Sequence, residues 1–138
     1  MSEQQDFNRT VIEEFRANGG RVGGRLADVD LVLVTHTGAR TGRKLTTPLG
    51  HVVDGDDLVV VAANRGSANH PSWYHNLVAN PDVTVEVGAA TYPAKAIVAT
   101  GAERSRLWDK IAALKPFLLD FQEKAGAREI PIVVLRRA

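Results

Sequence analysis

The run Thr37-Gly38-Ala39-Arg40-Thr41-Gly42-Arg43-Lys44-Leu45-Thr46-Thr47-Pro48-Leu49 gathers the residue types that hold anions. Gly38 and Gly42 let a backbone come close to a ligand, and Arg40, Arg43 and Lys44 supply positive charge. Thr46 and Thr47 add hydroxyls where the next segment opens, which completes a compact anion cradle. The run has neither a Walker A pattern nor Gly-x-Gly-x-x-Gly. The bland alternative is a solvated hairpin loop, the usual fate of a charge run. A second segment, Asn69-His70-Pro71-Ser72-Trp73-Tyr74-His75-Asn76-Leu77, places Pro71 at the start of a helix, whose first amides attract anions. Trp73 and Tyr74 either wall a flat ring beside that helix or pack in the core, as large aromatics commonly do. Read together, the two segments fit a phosphorylated aromatic cofactor.

Other chemistries find little support. The four histidines, His36, His51, His70 and His75, lack the i, i+4 spacing and the acidic neighbours of a metal centre, so no metal is expected. Ser67 and Ser72 are not set in a nucleophile elbow. The acids of Asp54-Gly55-Asp56-Asp57 read as turn residues rather than a catalytic pair. Cysteine is absent, which excludes disulfides and thiol chemistry. With no acid–base or nucleophilic set in view, the demanding chemistry falls to a cofactor.

The elements that must position these residues follow from periodicity. Phe7, Val11 and Phe15 recur every four residues and predict a helix over 6–18, followed by the glycine-rich link 19–24, which serves either as a hinge or as a simple connection. Strands are expected at 31–37, 46–53, 57–63, 82–87, 91–99 and 130–135, and Pro93 argues for an edge or a bulge. Helices are expected from Pro71 to Asn80 and from a capping box at Thr100–Glu103, the latter interrupted at Pro116 and stopped at Gly126. The order α-βββ-α-ββ-α-β predicts an α+β fold: a split β-barrel, mostly antiparallel with about six strands, flanked by helices. A chain of 138 residues suits a single domain over 1–138, with 1–24 as its helix and link. The net charge of only +1 gives no global attraction to nucleic acid or anionic lipid. No apolar run reaches membrane-spanning length and Met1–Asp6 does not read as a leader, so a cytoplasmic protein is expected.

Thr35–Gly42, Thr46–Leu49, Ala63–Gly66 and Pro71–Pro81 together resemble the deazaflavin (F420)-dependent nitroreductase family, with agreement in detail over 31–87. The resemblance implies a split barrel of the flavin-reductase type that binds reduced coenzyme F420. It further implies hydride delivery to an electron-poor small molecule such as a quinone, a nitroaromatic or an unsaturated lactone. On that resemblance Gly38, Ala39, Arg40 and Lys44 line the phosphate-bearing tail, with Leu45, Thr46, Thr47, Pro48 and Leu49 beside it. Ala63, Asn64, Arg65 and Gly66, with Pro71, Trp73, Tyr74, Asn76 and Leu77, line the deazaflavin and its ribityl chain. The catalytic proton donor is unknown, with Tyr74 the one weak candidate, and Phe15, Phe117 and Phe121 are either acceptor-pocket walls or core. The family commonly has a basic residue immediately before Thr-Thr-Pro-Leu, where this chain has Leu45. The alternatives are an FMN-dependent reductase on the same barrel and a non-catalytic carrier of the deazaflavin or an apolar ligand. Expected partners are a small-molecule acceptor and, as monomer or homodimer, at most a second copy. Nucleic acid and stable membrane insertion are not expected, though peripheral contact stays open.

Overall fold

Apolar side chains alternate along the central strands so completely that both faces of the sheet need covering. In β1 (Leu31–Thr37), Val32 and Val34 point into one core with Leu77, while Leu31 and Leu33 meet Val11 and Phe15 on the other face. The same division runs through β7 (Ile132–Arg137), where Val133 and Leu135 face inward and Ile132 and Val134 meet Leu107, Ile111 and Leu118. A strand that is apolar on consecutive residues is thus a strand with two buried faces.

The computed structural model describes residues 3–138, with Arg25 described by its backbone alone. The remaining elements are α1 (Glu3–Ala17), β2 (Lys44–Gly50), β3 (Val52–Asp54), β4 (Asp57–Val61), α2 (Ser72–Ala79), β5 (Asp82–Val87), β6 (Ala90–Val98), α3 (Gly101–Leu114) and α4 (Phe117–Ala125). All strands belong to one seven-stranded sheet in the order β2-β1-β5-β6-β7-β4-β3, antiparallel throughout. It curls into a half-barrel. The segment expected as one strand over 46–53 is two, because its partner changes at His51: residues up to Gly50 pair with β1, the His51 amide makes a last bond on that side to the Asp30 carbonyl at 2.9 Å, and from Val52 the chain pairs with β4. Its halves, β2 and β3, form the two opposite edges of the sheet, which accounts for seven strands where about six were expected. Curling brings together edges that would otherwise stand open to other chains.

Two local expectations are revised. Pro93 lies in an interior strand opposite Thr84, at the last rung toward β7, where its carbonyl accepts from the Ala138 amide at 3.0 Å and only its missing N–H forgoes a bond at the end of the pairing. Thr100 occupies the N-cap of α3 without a side-chain capping bond, because Gly101 passes through φ 57° and carries the chain away from the box geometry. Helix α1 is docked rather than swung out: Arg16 grips Glu86 through two bonds of 2.9 and 2.8 Å. Phe15 is consequently core, buried beneath α1 against β1.

Candidate functional site

The turn after β1 folds on its own hydrogen bonds. Gly38 donates to the Arg43 carbonyl at 2.8 Å, and Gly42, at φ 70°, donates to the Gly38 carbonyl at 3.0 Å. Among the described residues this leaves the Arg40 and Thr41 amides without an intramolecular acceptor. Helix α2 begins against this turn, capped only by the Pro71 backbone, so its first amides are also unclaimed by any side chain. Between them lies a cavity of about 440 Å³, bounded by Gly38 to Thr41, Leu45 and the α2 residues Ser72, His75 and Asn76. Free amides, a helix start and the Arg40 guanidinium around one open space are the groups that suit an anion. The two segments singled out from sequence therefore meet.

A buried polar relay holds them together. The Asn76 side chain, only 8% exposed, accepts from the Ala39 amide at 2.8 Å and faces His36 Nδ1 through its own nitrogen at 3.2 Å. Because Asn76 Oδ1 takes the Ala39 proton, its amide nitrogen donates to His36, and the His36 proton resides on Nε2. That nitrogen then donates to Thr47 Oγ1 at 2.9 Å. Burial lowers the His36 pKa below 6.5, which favours the neutral ring this relay requires. Asn76 and Thr47 thus act as supports of the cradle from behind. His36 was not singled out as a site residue, yet it continues the inward series Val32, Val34, and a polar residue in that series was a legible signal.

The other residues expected to bind ligand take varied positions. Arg40 and Leu45 face the cavity, whereas Lys44 Nζ turns to Thr37 Oγ1 at 2.7 Å. Thr46 shares a hydroxyl bond of 2.9 Å with Thr35 across the ladder, and Pro48 stands opposite Leu33 in edge strand β2. Leu49, Trp73 and Tyr74 pack against the inner core, of which Leu77 is a member. Tyr74 also lies 4.7 Å from the His70 ring, centroid to centroid.

Ala63 to Gly66 form a tight turn with two non-glycine residues at positive φ, Asn64 at 46° and Arg65 at 55°. Such backbone is held only where its surroundings enforce it. Arg128 does the enforcing, a role no sequence pattern announced. Its guanidinium donates to the carbonyls of Ala62 (3.0 Å), Ala63 (2.6 Å) and Ser67 (2.8 Å), and to His70 Nδ1 (3.0 Å). Burial and the Arg128 charge both push the His70 pKa down, so His70 serves as a neutral acceptor. Gly66, at φ 77°, lets the turn press on α4: a Cβ there would stand 2.8 Å from the Phe121 carbonyl.

A second cavity, of about 460 Å³, opens beside this turn between the β2–β3 kink and the α3–α4 corner. Phe117 and Phe121 line it together with Val61, Ala63 and His51. Two of the aromatics left open between pocket and core are thus pocket walls. Burial lowers the His51 pKa and the nearby Lys115 charge lowers it further, while Asp30 pulls the other way. Among the described residues no cluster of three or more metal-binding side chains occurs, and no helix is long and apolar enough to cross a membrane.

Fold and site define a split-barrel protein, a curled antiparallel half-barrel with a donor-lined cavity at one sheet edge and an apolar cavity near the kink. The chain belongs to the F420H(2)-dependent quinone reductase family, whose model matches residues 7–137. An F420H(2)-dependent quinone reductase of Mycobacterium tuberculosis (strain ATCC 25618 / H37Rv) is 36% identical over 126 residues, covering 89% of this chain and 85% of that protein. A solved F420-H2 dependent reductase (FDR-A) superposes with a TM-score of 0.71 at 35% identity, over 83% of this chain and 100% of its own. A chain solved as a domain-swapped dimer gives a TM-score of 0.73 at 32% identity, over 97% of this chain and 100% of its own.

Proposed function

We propose that this chain uses reduced coenzyme F420 to reduce a quinone-class acceptor, with the cofactor's anionic tail in the Gly38–Thr41 cradle. The observation that carries the reading is the cradle itself, where the turn and the start of α2 share one cavity and the Ala39–Asn76 bond of 2.8 Å ties them. An oligo-anionic tail is what such amides and Arg40 attract, and neither group needs a counter-charge from the protein. When bound, the deazaflavin supplies a hydride. The protein's task is then to hold ring and acceptor within about 3–3.5 Å of each other and to keep water out.

On this reading Gly38, Ala39, Arg40 and Leu45 face the tail, Lys44 and Thr46 to Leu49 flank it, and Ala63 to Gly66 receive the ring. Pro71, Trp73, Tyr74 and Leu77 shape the α2 side of the site, and Asn76 holds cradle and helix in register. The Arg128 bonds give the Ala63–Gly66 turn its rigidity, so the ring meets a preformed wall. Its partner is a small-molecule acceptor, and assembly as a monomer or a homodimer is decided by sedimentation. The relative solved as a domain-swapped dimer makes the two-copy state worth measuring.

Fluorescence titration with oxidised F420, run beside FMN, tests the cofactor assignment. Tight binding of the deazaflavin and none of FMN is expected. Arg40→Ala should weaken deazaflavin binding and flatten its salt dependence, since one screened cation is gone. Equal affinity of wild type and variant across a salt series would remove the cradle assignment.

A further inference from the structure

The cavity at the β2–β3 kink is apolar along most of its wall. Val59 and Val61 of β4, Ile111 and Leu114 of α3, and Phe117 and Phe121 of α4 make a slot suited to a flat ring. His51, Asp30 and Lys115 line the same slot and supply its polar groups. His51 is 8% exposed, and its Nδ1 is buried without any hydrogen-bond partner. Lys115, the C-cap of α3, lies half-buried with Nζ 3.6 Å from where a Cβ on Gly50 would stand. A Cβ there would touch the ammonium at ordinary contact distance and press harder on Val29 Cγ1 at 3.3 Å, so Lys115 reaches directly over residue 50. Among the described residues Lys115 Nζ has neither an ion pair nor a hydrogen bond, although Asp28 and Asp30 line the same cavity. The buried His51 Nδ1 without a partner is the group that a ligand in the slot would complete, and Lys115 brings an unpaired cation to the same cavity.

We propose that Lys115 is the residue that selects the electron acceptor, donating a hydrogen bond to one oxygen of a quinone-class ring lying in the slot. The inference rests on the reduction of quinones proposed above and names the group that handles the charge. A quinone that takes up a hydride at one end becomes a hydroquinone monoanion: a new bond to hydrogen forms there, and the electron pair moves through the ring to the opposite oxygen. A proton from water then completes the hydroquinone, while the hydride donor leaves oxidised. The carbonyl oxygen of the bound quinone carries a partial charge, and the monoanion carries nearly a full one. The Lys115 bond therefore strengthens as reduction proceeds, and it acts mainly on turnover rather than on capture. His51, held neutral beneath it, places no second cation at the same oxygen.

The test uses the protein without cofactor and two naphthoquinones, 2-hydroxy-1,4-naphthoquinone, which is anionic at neutral pH, and neutral menadione. Tryptophan fluorescence quenching reports binding of each. Lys115→Met should weaken the anionic ring about tenfold, the scale of one charge-assisted bond, and leave menadione affinity unchanged. Lys115→Arg should restore the preference for the anion, and Lys95→Met, an exposed β6 lysine paired to Asp82, should do nothing. In turnover with reduced F420, kcat for menadione should fall about tenfold in Lys115→Met with KM little changed. Loss of both ligands together, or of neither, would overturn the assignment. Because the binding arm needs no deazaflavin, failure of wild type to bind F420 would sink the cofactor reading and leave this one to its own result.

Discussion

Removing the Asn76 side chain should damage both the fold and the cradle, by an amount the geometry allows one to work out. Asn76→Ala deletes the acceptor of the Ala39 amide and the donor to His36 Nδ1. His36 is 2% exposed, so its orphaned nitrogen stays dry and costs about 1–3 kcal/mol. Ala39 lies at the surface, so its amide rehydrates and only a net bond of about 1 kcal/mol is lost there. Together these predict a loss of about 2–4 kcal/mol, which for a domain of this size lowers the melting temperature by about 6–12 °C. Chemical denaturation gives the free energy, and F420 titration gives the second consequence. A turn no longer pinned to α2 must be ordered by the ligand, so affinity should fall about tenfold. An unchanged unfolding midpoint would refute the relay as a structural element.

Asn76→Asp sharpens the same argument. The carboxylate can still accept from Ala39, but its second oxygen now faces His36 Nδ1, which must carry a proton. The His36 pKa, lowered in the wild type, should rise above 6.5. A raised folded-state pKa adds stability that is present below the unfolded value and lost as pH rises through the folded one, so the variant should gain on wild type in acid. An NMR titration of the imidazole that leaves its pKa low would show that Asn76 does not bond to that ring.

Two more outcomes are expected. His36 and His51 are both held below 6.5 chiefly by burial, with Lys115 adding to and Asp30 opposing the effect on His51. Their stability contribution is complete above that value and is lost as pH falls through the folded pKa, at up to about 1.4 kcal/mol per pH unit for each ring. Denaturation midpoints that do not move between about pH 7.5 and 5 would count against buried neutral histidines; Asp54, held well below the carboxylate range by Arg106 and Lys110, responds only in stronger acid. Arg128→Lys replaces a fork with a single point and should strip about 2–4 kcal/mol from the Ala62–His70 turn. Amide hydrogen exchange should then quicken first in 64–70, and uniform exchange across the chain would argue against Arg128 as a local staple.

The order of elements and the meeting of the glycine-basic turn with the Pro71 helix were both legible in sequence, for a physical reason. Leu31–Val34 and Ile132–Leu135 have nothing polar to spare for solvent, and Gly38, Gly42 and Pro71 punctuate the chain where the elements end. What stayed hidden depends on long-range contact. No pattern near Arg128 indicates that it reaches four acceptors some sixty residues away, and Lys115 looks like an ordinary cap until α3 and α4 turn it over Gly50. The break at His51 was hidden in part: Gly50 stands in the run as a possible breaker, but the change of partner from β1 to β4 is a long-range choice that the run itself does not state.

The placement of the two cavities follows from that break. Strand β2 starts at the cradle, with Lys44 and Leu45, and ends at Gly50, where the second cavity begins. Seven residues of strand span about 20 Å, which sets the separation of the two cavities. As an edge strand, β2 pairs only with β1 along this length, leaving its outer backbone groups available to a ligand. Had 46–53 continued as one straight strand, Val52 would not turn back to line the second cavity. Folding it at His51 sends β3 to the opposite edge and sets Lys115 over Gly50. The change of strand partner at His51 thus bounds the slot and leaves the buried imidazole among its lining residues.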